Sequence, residues 1–353
     1  MAGRRDSLIS FGIVILAYIV IQIMISTGNI SSSLKGQLVP ICAYIVMAVS
    51  LNLTVGFLGE LSLGHAGFMS VGAFTGIVVT TSLAQAIPSA PLRLAIAMII
   101  GGIFAAVAGV IVGVPVLRLK GDYLAIVTLA FGEIIKNIIN VLYIGMDGNG
   151  LHFSLLEQRF ALEDGGKMII NGPMGVSGVT KISSFTSGII LILITLFLIL
   201  NLVHSRTGRA VMSVRDNRIA AESIGISATR YRLLAFVISA AFAGMAGTLY
   251  AMNFSTVTAN KFDFNTSILV LVFVVLGGLG NIWGSIIAAA LLTVLPELLR
   301  GLNDYRMLIY AILLIVMMIF NNSGLKTHLL EKRAARRAGD PQKKTELSDK
   351  EEV

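Results

Sequence analysis

The sequence predicts an all-α, polytopic membrane protein of about ten transmembrane helices, some of them short or broken, with both termini on the cytoplasmic side. Three observations carry this prediction. The 353 residues are 56% hydrophobic and only 13% charged, with a mean hydropathy of +0.86, far from the composition of a water-soluble domain. The apolar residues gather in runs long enough to cross a bilayer as helices, which takes about 17–25 residues each. Most of the 27 Lys and Arg residues fall in segments that alternating spans place on one side, as the cytoplasmic bias of basic residues requires.

Taken in order, the runs lie at 8–25, 38–56, 66–83, 93–117, 121–143, 186–204, 231–252, 267–281, 284–299 and 305–321. The first is longer than a signal-peptide core and lacks a small-residue cleavage site, so it is read as retained. The region after Gly56 and the short pair flanking Gly277-Gly278-Leu279-Gly280 suit re-entrant or broken helices. With the N-terminus inside, Arg4, Arg5, Arg118, Lys120, the arginines between 206 and 232 and the basic residues of the tail fall inside. Lys35, Arg93, Arg159, Lys167, Lys181, Lys261, Arg300 and Arg306 fall outside. One membrane domain therefore covers 1–325, with an outer loop at 144–185 and a cytoplasmic loop at 205–232. The tail at 326–353 mixes both charge signs with little apolar content, the pattern of a solvated, disordered extension.

Composition also excludes. The net charge of +8 follows from inside-loop bias and contact with anionic lipid, so no nucleic-acid partner is expected. Cys42 is the single cysteine, which forbids an intrachain disulfide and any cysteine-based metal site. The four histidines, at 65, 152, 204 and 328, are scattered. No Gly-x-x-x-x-Gly-Lys-Ser/Thr nucleotide cradle, His-Glu-x-x-His or Gly-x-Ser-x-Gly motif occurs. The chain is not expected to be an enzyme or to bind a cofactor or metal.

Three groups of residues stand out as candidate sites. The first is the polar stretch from Arg206 to Arg232, where Arg209, Arg215 and Asn217 precede Ala220, Ala221 and Gly225. An Ala-Ala pair followed by Gly is a short smooth helix that stops at a glycine, a shape suited to another protein's groove; the plainer alternative is an ordinary basic loop. The second is Ser50 to Phe74, with glycines at 56, 59, 64, 67 and 72. Asn52, Glu60, Ser62, Gly64, His65 and Gly67 either line a translocation path or gate, or pack helices closely through small residues. The third is Glu133 and Lys136, which share a helix face at i and i+3 and form a candidate intramembrane ion pair, structural or part of a substrate path. Two lesser features are the outer loop, as a lid, a docking surface or a plain surface loop, and Asp122, as a cap of the fifth span.

The stretch Leu51–Phe74, the segment Leu117-Arg118-Leu119-Lys120-Gly121-Asp122-Tyr123-Leu124, the outer Gly172-Pro173-Met174-Gly175-Val176, the loop from Thr207-Gly208-Arg209-Ala210 to Ile226 and the closing Leu276–Gly284 resemble one family. It is the LivM-type permeases of branched-chain amino acid ABC importers, and the resemblance covers the chain to about Leu325. It implies a subunit of the bacterial plasma membrane working by alternating access. The implied partners are a second, LivH-like permease, two ATPases that hold ATP and Mg, and an extracytoplasmic binding protein. Arg209, Arg215, Asn217, Ala220, Ala221 and Gly225 would then form the loop that couples to an ATPase. The sequence departs in having Ile219 where ABC importers often carry Glu before Ala-Ala, and in a longer loop between Tyr143 and Gly172. Permeases for urea or short amides share the architecture and stay open as an alternative. An ion-coupled secondary transporter is more distant, since it needs titratable groups near midplane.

Overall fold

The computed structural model describes residues 2–28, 31–119, 121–148, 150–156 and 166–299, together with 305, 308–309, 311–312 and 315; the side chains of 2–10 are outside this description. Most of the expected tenth span at 305–321, the tail at 326–353 and the outer-loop residues 157–165 lie outside the described residues.

The helices begin and end where the local chemistry says. After α1 (Ala2–Ser26), the Ser31 hydroxyl opens α2 (Ser32–Asn52) by accepting from the Leu34 amide at 3.4 Å. Next, α2 runs into a single π turn, Leu53–Phe57, and an irregular stretch leads to α3 (His65–Ser82). Pro91 lies in the first turn of α4 (Ala90–Val116), where its missing N–H costs nothing. Asp122 starts α5 (Asp122–Asn140) without a capping hydrogen bond, so its contribution is charge against the helix dipole rather than the expected cap. A reciprocal Ser184–Ser187 capping box opens α6 (Phe185–His204). Two short helices, α7 (Arg206–Asp216) and α8 (Arg218–Ser223), precede α9 (Ala228–Ala251). Asp263 caps α10 (Phe264–Gly277) by accepting from the Thr266 amide at 3.0 Å. Gly278 and Gly280, at φ +96° and +76°, make the sharp break before α11 (Ile282–Leu298).

Five stretches are long and apolar enough to cross a membrane: Ser32–Phe57, Ala90–Val116, Phe185–His204, Ala228–Ala251 and Ala259–Gly277. Phe11–Ser26 and Ile282–Leu298 are shorter apolar helices. The all-helical expectation is corrected between 142 and 177. Here β1 (Leu142–Asp147), β2 (Gly150–Leu155) and β3 (Lys167–Asn171) form an antiparallel sheet in the order β2-β1-β3, with Ile144 opposite Phe153. A second pair joins β4 (Val176–Ser177) to β5 (Thr256–Val257). Outside the bilayer nothing forces backbone groups into helix, and a strand ladder satisfies them equally well.

The core of the unit formed by residues 1–297 is the trio α3, α4 and α9. Small residues let the three helices approach closely. Thr248 Oγ1 donates to the Gly72 carbonyl at 2.8 Å, and a Cβ on Gly244 would collide with Ala105. Outside the trio, α2 packs on α9 and α6, α1 on α6, and α5 and α10 on α3. The bundle has two distinguishable ends. At one, Ser33 donates to Glu297, Asn253 Nδ2 to the Gly36 carbonyl at 3.0 Å and Asn140 Nδ2 to Asn260 Oδ1 at 3.0 Å. At the other stand α7 and α8, Glu60 and the start of α9, because α2 and the π turn that continues it run from Ser33 to a Gly56 carbonyl held by Arg215.

Candidate functional site

The basic loop is a built structure. Ser205 Oγ caps α7 by accepting from the Gly208 amide at 3.2 Å, and Gly208, Val211 and Val214 form its buried face. Asn217 is extended, and its Oδ1 caps α8 by accepting from the Ala220 amide at 3.1 Å. Of the alanine pair, Ala221 is only 2% exposed and packs with Val214, Ala228 and Ile226, whereas Ala220 faces outward. Helical geometry separates them, since adjacent residues point about 100° apart. Ile219 of α8 is 81% exposed, and Ile224, just past its end, is 75% exposed. Gly225 ends the helix at φ +87°, where an added Cβ would meet nothing within 4 Å, so the constraint is the backbone conformation, which only glycine adopts without strain.

The arginines divide by role. Arg209 is exposed and donates to the His204 carbonyl at 3.4 Å. Arg218 pairs with Glu222 at 3.0 Å along α8. Arg215 Nη1 reaches across to the Gly56 carbonyl at 3.2 Å, while Nη2 pairs with Asp216 at 2.9 Å. Arg232 is buried; it pairs with Glu60 and donates to the Leu117 carbonyl at 2.7 Å. Burial pushes the Glu60 carboxyl above its ordinary range, and the guanidinium groups of Arg232 and Arg218 pull it partly back. A cavity of about 470 Å3 opens between these groups, lined by Glu60, Arg215, Arg218, Ile219 and Arg232 among others.

The glycine-rich stretch is enclosed by its own chain. Gly64 abuts the Thr128 carbonyl, and a Cβ on Gly67 would stand 2.9 Å from Gly132 Cα, so both set the distance between α3 and α5. His65 is buried, with Nε2 2.9 Å from Ser50 Oγ. Ser62 is buried, and its hydroxyl has no hydrogen-bond partner among the described residues. Asn52, fully buried, accepts from the Gly280 amide at 2.9 Å and donates to Ser285 Oγ at 3.0 Å. At the far end, Lys136 pairs with Glu133, and Glu133 Oε1 accepts from the Phe264 amide at 3.2 Å, tying the pair to the start of α10.

Sequence reasoning gathered the loop residues but missed three things. The outward isoleucines are one, although isolated apolar residues in a polar stretch are a visible signal. The pairing of Glu60 with Arg232 and the clamp of Asn52 on Gly280 are the others; both join residues far apart in sequence and left no spacing to read.

Fold and loop together define a polytopic helical membrane protein with two short capped helices, α7 and α8, at one end. The chain belongs to the permease-component family of the branched-chain amino acid transport system, whose model matches residues 33–320. It is 37% identical over 312 residues to the high-affinity branched-chain amino acid transport system permease protein LivM of Salmonella typhimurium, covering 86% of this chain and 71% of that one. Against LivM of Escherichia coli it is 39% identical over 292 residues, or 80% and 67% of the two chains. A more distant relative is LivH of Salmonella typhimurium, 22% identical over 289 residues, or 80% and 90%. No solved structure matches the chain.

Proposed function

We propose that this chain is a membrane-spanning permease subunit of an ATP-driven importer for branched-chain amino acids, moving substrate by alternating access. The observation that carries the reading is the identity to LivM proteins over most of the chain, reinforced by a loop whose exposed apolar face is built on a capped, internally packed platform. One of two ATPase subunits docks on that loop, and the ATPases hold ATP and Mg, which this chain has no motif to bind. The kinship to LivH supports a related second permease, and an extracytoplasmic binding protein delivers substrate to the end that carries the sheets. The distribution of basic residues supports a cytoplasmic loop and cytoplasmic termini in a bacterial plasma membrane. In this reading Asn52, Glu60, Ser62, Gly64, His65 and Gly67 belong to the wall that shapes the route, and the Glu133–Lys136 pair anchors α10.

The test is purification from the native membrane in mild detergent, with partners identified by mass spectrometry, followed by uptake into proteoliposomes. ATPases with nucleotide cradles and a second permease should accompany the chain, and the assembly should take up leucine with ATP. Uptake of urea but not leucine would overturn the substrate assignment. An active transporter that purifies alone would overturn the importer.

A further inference from the structure

Beneath the loop, one unbroken set of contacts leads from the surface into the bundle. Arg215 closes α7 and donates to the Gly56 carbonyl at 3.2 Å, with its methylenes laid over Gly59, where an added Cβ would come within 2.6 Å of Arg215 Cγ. Gly56 belongs to the π turn Leu53–Phe57. The widened ladder of such a turn releases carbonyls to outside donors, and π turns concentrate at working sites. On its other side Gly56 presses on the backbone of Gly280, so that any Cβ there would overlap both Gly280 and the Asn52 amide. Asn52 in turn holds both sides of the α10–α11 break, through Gly280 at 2.9 Å and Ser285 at 3.0 Å.

We propose that the π turn transmits displacement of the docking loop to the α10–α11 hairpin, with Arg215 and Asn52 as positioning residues on its two sides; this rests on the docking reading above. A π turn holds one residue more than the α-turn it replaces. It rearranges by shifting that residue along the helix, so it has two discrete arrangements rather than a continuum, the property that carries coupling between distant sites. Each shift slides Gly56 against Gly280. Arg215 sets the shift from the loop side, and Asn52 passes it to both arms of the hairpin.

The experiment uses the complete importer in proteoliposomes, reading ATP hydrolysis, leucine uptake and retention of the ATPases. Arg215→Gln should cut leucine imported per ATP hydrolysed roughly tenfold in assemblies that retain the ATPases. Asn52→Ala should do the same, or Ser285→Ala if the first does not reach the membrane. The double variant should be no worse than the poorer single one, because both cut one chain of contacts. Losses that multiply in the double variant, unchanged uptake per ATP in Arg215→Gln, or release of the ATPases by Arg215→Gln each overturn the proposal. Ile219→Glu tests the docking reading separately. It should release the ATPases, and if it retains both ATPases and uptake, that reading fails whatever Arg215 does.

Discussion

Glu60 and Arg232 form a buried ion pair, for which taking two charges out of water costs several kcal/mol before their attraction and hydrogen bonds return it. Arg232 recovers much of that through the Leu117 and Leu119 carbonyls, but Glu60 Oε2 has no hydrogen-bond partner among the described residues. Arg232→Met should therefore lower stability by about 3 kcal/mol, since it strands a buried carboxylate; thermal unfolding in detergent would measure it. The raised Glu60 carboxyl has a definite sign. The folded chain holds that proton more tightly than the unfolded chain does, so the contribution of Glu60 to stability is largest at low pH and falls as pH rises from the ordinary carboxylate range through the folded value. Glu60→Gln removes that titration, and its unfolding temperature should gain on the wild type as pH is raised across the same window. A difference that does not change with pH would mean that Glu60 titrates alike in both states.

At the scale of elements, the seam between α3 and α5 depends on atoms that are absent. Gly64 and Gly67 face Thr128 and Gly132, and close backbone approach replaces the hydrophobic drive that lipid cannot provide between helices. Gly67→Leu should push the helices apart and cost about 1–3 kcal/mol of overpacking, seen as a lower unfolding temperature together with lost uptake. Normal stability with lost uptake would instead mark Gly67 as part of the route itself. The loop obeys another economy: α8 is too short to stand by cooperativity, so the Asn217 cap, the Arg218–Glu222 pair and the buried Ala221 hold it in place.

Across the whole molecule, the two ends of the bundle predict a topology. Cys42 is buried, so with Cys42→Ala as background, Thr180→Cys should label from outside intact cells with an impermeant maleimide. Ser223→Cys on the loop should label only after the membrane is opened. The reverse pattern would invert the orientation and place the loop out of reach of any ATPase.

Much of this molecule was legible in the chain by itself. Membrane residence, the order of the helices, the breaks after Gly56 and near Gly278, and the short helix that ends at Gly225 all follow from hydropathy, glycine placement and basic residues, which act within a few residues of one another. What only the tertiary structure decided involves residues far apart in sequence: Arg232 on Glu60, Arg215 on Gly56, Asn52 across Gly280 and Ser285, and β5 closing on β4. The direction of each alanine in the loop belongs with these. Local propensity sets where a helix starts, but the partner of a buried polar group is settled by packing, because desolvation penalises every arrangement that leaves the group unpaired.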